Sequence, residues 1–429
     1  MTGIALASVR RRLSGTVAVS ALVLLSSCES LRAGANPEVP LWVHHPSWAM
    51  DLEYSRNVVA RTRREGEPYE RGQPELDIQG RRVFVGSSDH GLYALRATDG
   101  RELWRFETLG FVQCEPLYDP QEDVVYFGSN DGALYKVSAA AGQLMWRFFS
   151  NAEVARRPVL SRGVLYVVNA NDTVMAIEAR SGKLIWSRHR APAMGMETAG
   201  YSGPLVWRGK VYVGFSDGNV AALDARTGDD RWPAVDLAAE AEELLGELPQ
   251  YLDVDTTPVA GLVDEQPVVF VGAYVSGVHA LDAETGATVW HNPAVGGVTE
   301  LLLWQQPAHQ SAPHSGMMLP ARELLIAATG TTGLWALDPQ TGQEVWRRSL
   351  PRGGVSAPVP VAGALAVSAS QLGLFLVSPI DGQVIDGIHM QDGASMAPAA
   401  FGRRLFVVSN GGLFLGIHLL APTDYKRGS

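Results

Sequence analysis

Cysteine is almost missing from this chain: its 429 residues contain two, Cys28 and Cys114. That excludes a disulfide-stapled scaffold, and no Cys-X-X-Cys-His segment is present to attach a haem. Cys114 has no His-rich cluster to join it in a zinc or catalytic site. Positive charge is also short, with 35 Lys and Arg against 45 Asp and Glu and a formal net charge of −10. Generic DNA or RNA binding needs a basic surface, so nucleic acid is not the expected partner.

Long apolar runs are missing too. The only strongly apolar stretch near the N-terminus, Val17 to Leu25, follows Arg10, Arg11 and Arg12 and is too short to span a bilayer. It reads as an export signal. Leu25-Ser26-Ser27-Cys28 resembles the lipobox of bacterial lipoprotein precursors, which implies cleavage before Cys28 and a covalent lipid on it. The expected order is a signal peptide at 1–27, a lipid-anchored tether at 28–39 and the folded chain beyond. Removing three arginines leaves 32 − 45 = −13. With Cys28 acylated no intramolecular disulfide remains, and stability has to come from a packed core.

What is abundant is a repeat. Its clearest copy reads Val211-Tyr212-Val213-Gly214, Asp217-Gly218, Ala222-Leu223-Asp224, Thr227-Gly228, Trp232. Copies end at Trp104, Trp146, Trp186, Trp232, Trp290 and Trp346, spaced by 42, 40, 46, 58 and 56 residues, which is a propeller period with insertions. A seventh copy carries Ile385 at the Trp position, and an eighth stops after Leu413–Gly416 without its last strand. Pro40-Leu41-Trp42 has the signature of that missing strand and is expected to pair beside Leu413–Ile417. The fold class is therefore all-β: an eight-bladed β-propeller of four-stranded antiparallel blades over 40–420, closed by an N-terminal strand, with a C-terminal tail at 421–429. Residues 43–76, rich in Arg and Glu, read as a polar insertion.

Within each copy the chemistry is structural. Asp131-Gly132 and Asp217-Gly218 suit tight hairpins. Asp224, Asp282 and Asp338 each lie four residues before a Gly and are expected to cap turns, because a catalytic residue need occur only once. The Trp series, Trp42 included, is expected to cover neighbouring blades. Pro116, Pro158, Pro204, Pro258, Pro313, Pro358 and Pro398 are expected to open inner strands after small residues, with Cys114-Glu115 as an exception facing the axis.

Three long connections, 187–203, 233–257 and 291–312, should emerge on one face of neighbouring blades. They carry the protein-binding candidates Arg190, Met194, Met196, Glu197, Tyr201, Leu244, Tyr251 and Trp304, with a short helix expected around Asp236–Leu248. The alternative is that these residues fold back over the blades.

Repeats, lipobox, length and closing strand together resemble the quinoprotein-type, PQQ-like propeller repeat family, and within it the BamB family of outer-membrane assembly lipoproteins. The resemblance implies a non-enzymatic, periplasm-facing scaffold subunit anchored to the outer membrane. Its implied partners are the β-barrel insertase, associated assembly lipoproteins and unfolded outer-membrane proteins, with no cofactor beyond the lipid at Cys28. Quinone-dependent dehydrogenases share the repeat and give the enzyme alternative. A scaffold of another envelope complex is the third reading.

Overall fold

The computed structural model describes residues 49–58, 70–191, 202–239, 251–307, 309–310, 318–349 and 352–420. The chain divides into two compact units, Met1–His44 and His45–Ser429, of which the first lies outside the described residues.

The second unit is an eight-bladed β-propeller. Blade one contains Pro74–Leu76, Arg82–Gly86, Gly91–Arg96 and Glu102–Glu107, paired in sequence order, and the same up-and-down order recurs through blade seven. First strands touch around the axis between blades one and two, from blade three through blade six and between blades seven and eight, and that of blade one touches Ala399–Phe401 of blade eight. Strand composition follows from this stacking: a middle strand such as Val124–Gly128 is buried throughout because both of its faces meet a neighbouring sheet. The core consequently lies between blades. Tyr212 and Trp232 of blade four pack with Val269, Val271 and Leu281 of blade five.

Glycine and tryptophan recur together because they touch. A Cβ on Gly142 would stand 2.6 Å from the Trp104 ring of the preceding blade, and one on Gly228, at φ 75°, would stand 2.7 Å from Trp186. All but one of the outer-strand indoles then donate to a carbonyl of the next blade, among them Trp104 Nε1 to Ala139 at 3.0 Å, Trp186 to Ala225 at 3.0 Å and Trp290 to Pro339 at 3.0 Å, and the exception is Trp232. The aspartates cap these same turns, with Asp224 Oδ1 accepting from Arg226 N at 2.8 Å and Asp282 Oδ1 from Thr285 N at 2.7 Å.

Ring closure occurs through a different strand from the one expected. Met50–Asn57 pairs antiparallel with Leu413–Leu419 and completes blade eight as its outer strand. It falls inside the segment read as a polar insertion, whereas Trp42 lies outside the described residues. Tyr54 stands opposite Gly416, the register position that Trp104 holds opposite Ala94. Its hydroxyl donates to Ala97 O at 2.7 Å, so a phenol replaces the indole.

Two further expectations are corrected. In blade seven the Trp position belongs to Asp386, opposite Leu376, and not to Ile385. The Asp386 carboxylate accepts from Met50 N at 2.9 Å and fixes the start of the closing strand. In blade six the inner strand is Val298–Gln306, paired with Arg322–Thr329. The insertion therefore follows that strand, and Pro313 lies outside the described residues. Pro74 is the strand-opening proline of blade one.

Candidate functional site

The segments leading into the inner strands meet at one end of the axis and enclose a cavity of about 450 Å³. Gln73, Arg156, Asp255, Tyr274, Glu300, Ser356 and Ser395 are among its lining residues. Ser202–Pro204 and Tyr251–Pro258 enter inner strands at this end, so the long connections after blades three and four arrive there.

Small residues precede the inner-strand prolines in most blades, but blades two and three place Cys114-Glu115 and Arg156-Arg157 there. Arg156 reaches across the axis. Its Nη2 donates to Asp255 O at 2.9 Å and its Nη1 pairs with the Glu300 carboxylate. Arg157 turns toward blades one and two, with Nη2 3.0 Å from Glu75 Oε1 and Nε 3.2 Å from Glu115 Oε1. Gln73 Nε2 donates to the other Glu115 oxygen at 2.7 Å, and Cys114 Sγ donates to Arg156 O at 3.1 Å. Two guanidinium groups thus link the inner ends of blades one, two, three, five and six.

The electrostatics of this hub follow from burial. Desolvation lifts the Glu115 carboxyl to about 7, with Arg157 opposing the rise and Glu75 and Glu300 adding to it. Burial also lifts the Glu75 carboxyl above its ordinary value, again against Arg157. For Arg157 burial works against the charge, yet Glu115 and Glu75 outweigh it and the guanidinium is raised. Cys114 is fully buried and its thiol is pushed up to about 12, chiefly by desolvation, which makes it unreactive. The Arg doublet escaped the sequence reading, although its break with the small-residue pattern is the same signal that singled out Cys114-Glu115.

The predicted surface residues are placed unevenly. Met194, Met196, Glu197, Tyr201 and Leu244 lie outside the described residues, as do Cys28 and residues 240–248 of the helix expected at 236–248. Asp236 itself ends an outer strand. Arg190 is engaged within the fold: it pairs with Asp217 on the hairpin of blade four and lies 5.6 Å from the Phe215 ring centroid. Tyr251 is half-buried and packs on Tyr274 at 5.3 Å, which brings the end of its loop to the cavity rim. Trp304 is no loop residue. It sits in the inner strand of blade six at 6% exposure, and Leu301 beside it is also buried, so the reading of 291–312 as a connection with exposed anchors is corrected.

Comparison with known proteins adds the following. A family model described as outer membrane protein assembly factor BamB matches residues 119–302 and 253–412. Outer membrane protein assembly factor BamB of Legionella pneumophila (strain Paris) is 25% identical over 163 residues, covering 38% of this chain and 37% of that protein. The match therefore spans little more than a third of the relative's length. The crystal structure of BamB from Moraxella catarrhalis superposes with a TM-score of 0.65 at 18% identity, over 86% of this chain and 100% of that one. A quinohemoprotein alcohol dehydrogenase from Comamonas testosteroni gives 0.62 at 13% identity, over 86% and 76%. At these identities the solved structures share the fold alone.

Proposed function

Because this chain belongs to the family described as outer membrane protein assembly factor BamB, we propose that it is a non-enzymatic scaffold subunit of the machinery that assembles outer-membrane β-barrels. It binds the central insertase through the connections that gather at the axial mouth, facing the periplasm from an outer-membrane lipid anchor at Cys28. The observation that carries the reading is the family match across residues 119–412. The arrival of two long connections at one end of the ring supplies the surface.

The enzyme reading finds less support in the residues. A quinone needs stacking faces and an oxygen-ligated cation. The cavity lining offers one aromatic ring, Tyr274, and its Arg156 is committed to Glu300 and Asp255. Among the described residues no group of three or more His, Cys, Asp or Glu is placed to hold a metal ion. These residues do not fit a quinone held with calcium.

Crosslinking in the native membrane, followed by identification of partners, tests the proposal. Recovery of the barrel insertase is expected, and recovery of cell-wall or secretion proteins alone would overturn it. Anchoring is tested separately by Cys28→Ala, which should release a folded protein from the membrane. Fractionation that places the acylated protein wholly in the inner membrane would reject the outer-membrane assignment, for which Glu29 rather than Asp at the position after Cys28 speaks.

A further inference from the structure

The repeat supplies its own control for reading the rim of the ring. Opposite Val137 and Ile177, on the outer strands of blades two and three, stand Leu144 and Leu184. The same register position holds Glu102, Asp230, Thr288 and Glu344 in blades one, four, five and six. Blades seven and eight have Val384 and Leu52 there, the latter followed by Glu53. Blade two departs again at Phe149, where blades one, three, four and seven place Glu107, His189, Asp236 and His389. Blade packing therefore does not require these apolar side chains. Leu144, Met145, Phe149, Leu184 and Ile185 are 47–54% exposed, and they fall on the outer strands of two adjacent blades.

The charge beside them is basic in a chain that is acidic overall. Arg180 and Lys183 are exposed on the turn that packs against Trp146, and neither joins an ion pair among the described residues. Arg147 lies over the Phe149 ring at 4.8 Å. The nearby acid, Glu178, is held by the Ser181 hydroxyl, and Arg188 is paired with Asp229. Aliphatic and aromatic side chains bordered by Arg and Lys are what an interfacial membrane contact requires, because the apolar groups enter the acyl boundary while the cations meet anionic headgroups.

We propose that the outer edge of blades two and three is a membrane-contact patch that settles on an anionic lipid surface. The contact is a weak, reversible second attachment, independent of a lipid at Cys28 and separate from the axial mouth. Such a contact would orient the ring relative to the bilayer, which attachment at a single point does not do.

The test is sedimentation with vesicles, using the unlipidated chain that begins at Glu29, which retains every strand from Met50 to Leu419. Vesicles of phosphatidylethanolamine with phosphatidylglycerol should carry the protein down, and phosphatidylcholine vesicles should do so much less. Leu144→Glu with Phe149→Glu should weaken the association roughly tenfold or more. Arg180→Glu with Lys183→Glu should remove its salt dependence. Val289→Glu, at a similarly exposed rim position of blade five, should change nothing. Each substitution is at the surface and should leave the thermal midpoint in place. Failure of the wild-type chain to bind anionic vesicles would overturn the proposal and leave the patch to a protein partner, as would equal losses in the Val289→Glu control.

Discussion

Glu115 holds its proton more tightly in the fold than in the unfolded chain, since burial among the ends of blades one to three raises its carboxyl to about 7. Between the ordinary carboxylate value and that point the native state carries the extra proton. Its contribution is fully present at acid pH and is lost as pH climbs toward neutrality. His279 acts in the opposite sense: burial first, then the stacked His291 ring at 4.1 Å, lowers it to about 3, so stability is lost as pH falls below the ordinary imidazole value. Thermal midpoints across pH should separate the two. Glu115→Gln should flatten the decline between about pH 5 and 7, a slope of at most about 1.4 kcal/mol per pH unit, while leaving the acid limb intact. Parallel curves for the variant and the wild type would remove Glu115 as the source.

A second residue-scale contrast lies in the tryptophans. Trp232 Nε1 is buried and has no partner among the described residues, and Ala283 O, the carbonyl its indole would be expected to reach, accepts instead from Lys210 Nζ and Tyr212 OH, both at 2.9 Å. Trp290 keeps its bond to Pro339 O. Urea unfolding should therefore find Trp290→Phe costlier than Trp232→Phe by about 1 kcal/mol, the worth of one hydrogen bond. Equal losses would mean that the indole N–H contributes nothing at either site.

Among the elements, the closing strand decides whether the ring behaves as one body. Met50–Asn57 covers the free edge of Leu413–Leu419, places Tyr54 against blade one and is held at its start by Asp386. Deletion through residue 43 should leave thermal stability and protease resistance unchanged. Deletion through Asn57 should cost at least about 3 kcal/mol, comparable to removing a large buried side chain. Comparable stability for the two deletions would show that closure is dispensable. Blade count, hairpins and capped turns were legible because Asp, Gly and Trp each answer a local requirement at a fixed spacing. The closing strand was not, since Tyr54 does the work of the indole inside a stretch whose Arg and Glu content reads as a loop. Blade six misled for a related reason: Val298–Gln306 has no proline at its start, and its exposed-looking leucines face neighbouring sheets.

For the whole molecule, the arrangement of loops changes what a binding test must contain. Arg190 looked like a surface anchor in the sequence, but its pairing with Asp217 and its packing on Phe215 make it part of the joint between blades three and four. Arg190→Glu would set a carboxylate beside Asp217 and disturb that joint before any partner arrived, so it belongs with the stability controls. The informative variant is Met194→Ser with Met196→Ser, which replaces two apolar side chains in the connection that leads into the axial mouth. If this loop carries the interface, association with the insertase should fall about tenfold or more while the melting curve stays in place. Tyr251→Ala probes the neighbouring loop through its contact with Tyr274, and because that ring is half-buried a modest loss of stability should accompany any loss of binding. Wild-type association by the double Met variant, together with normal outer-membrane barrel levels in cells that lack the native protein, would move the interface to the opposite end of the ring.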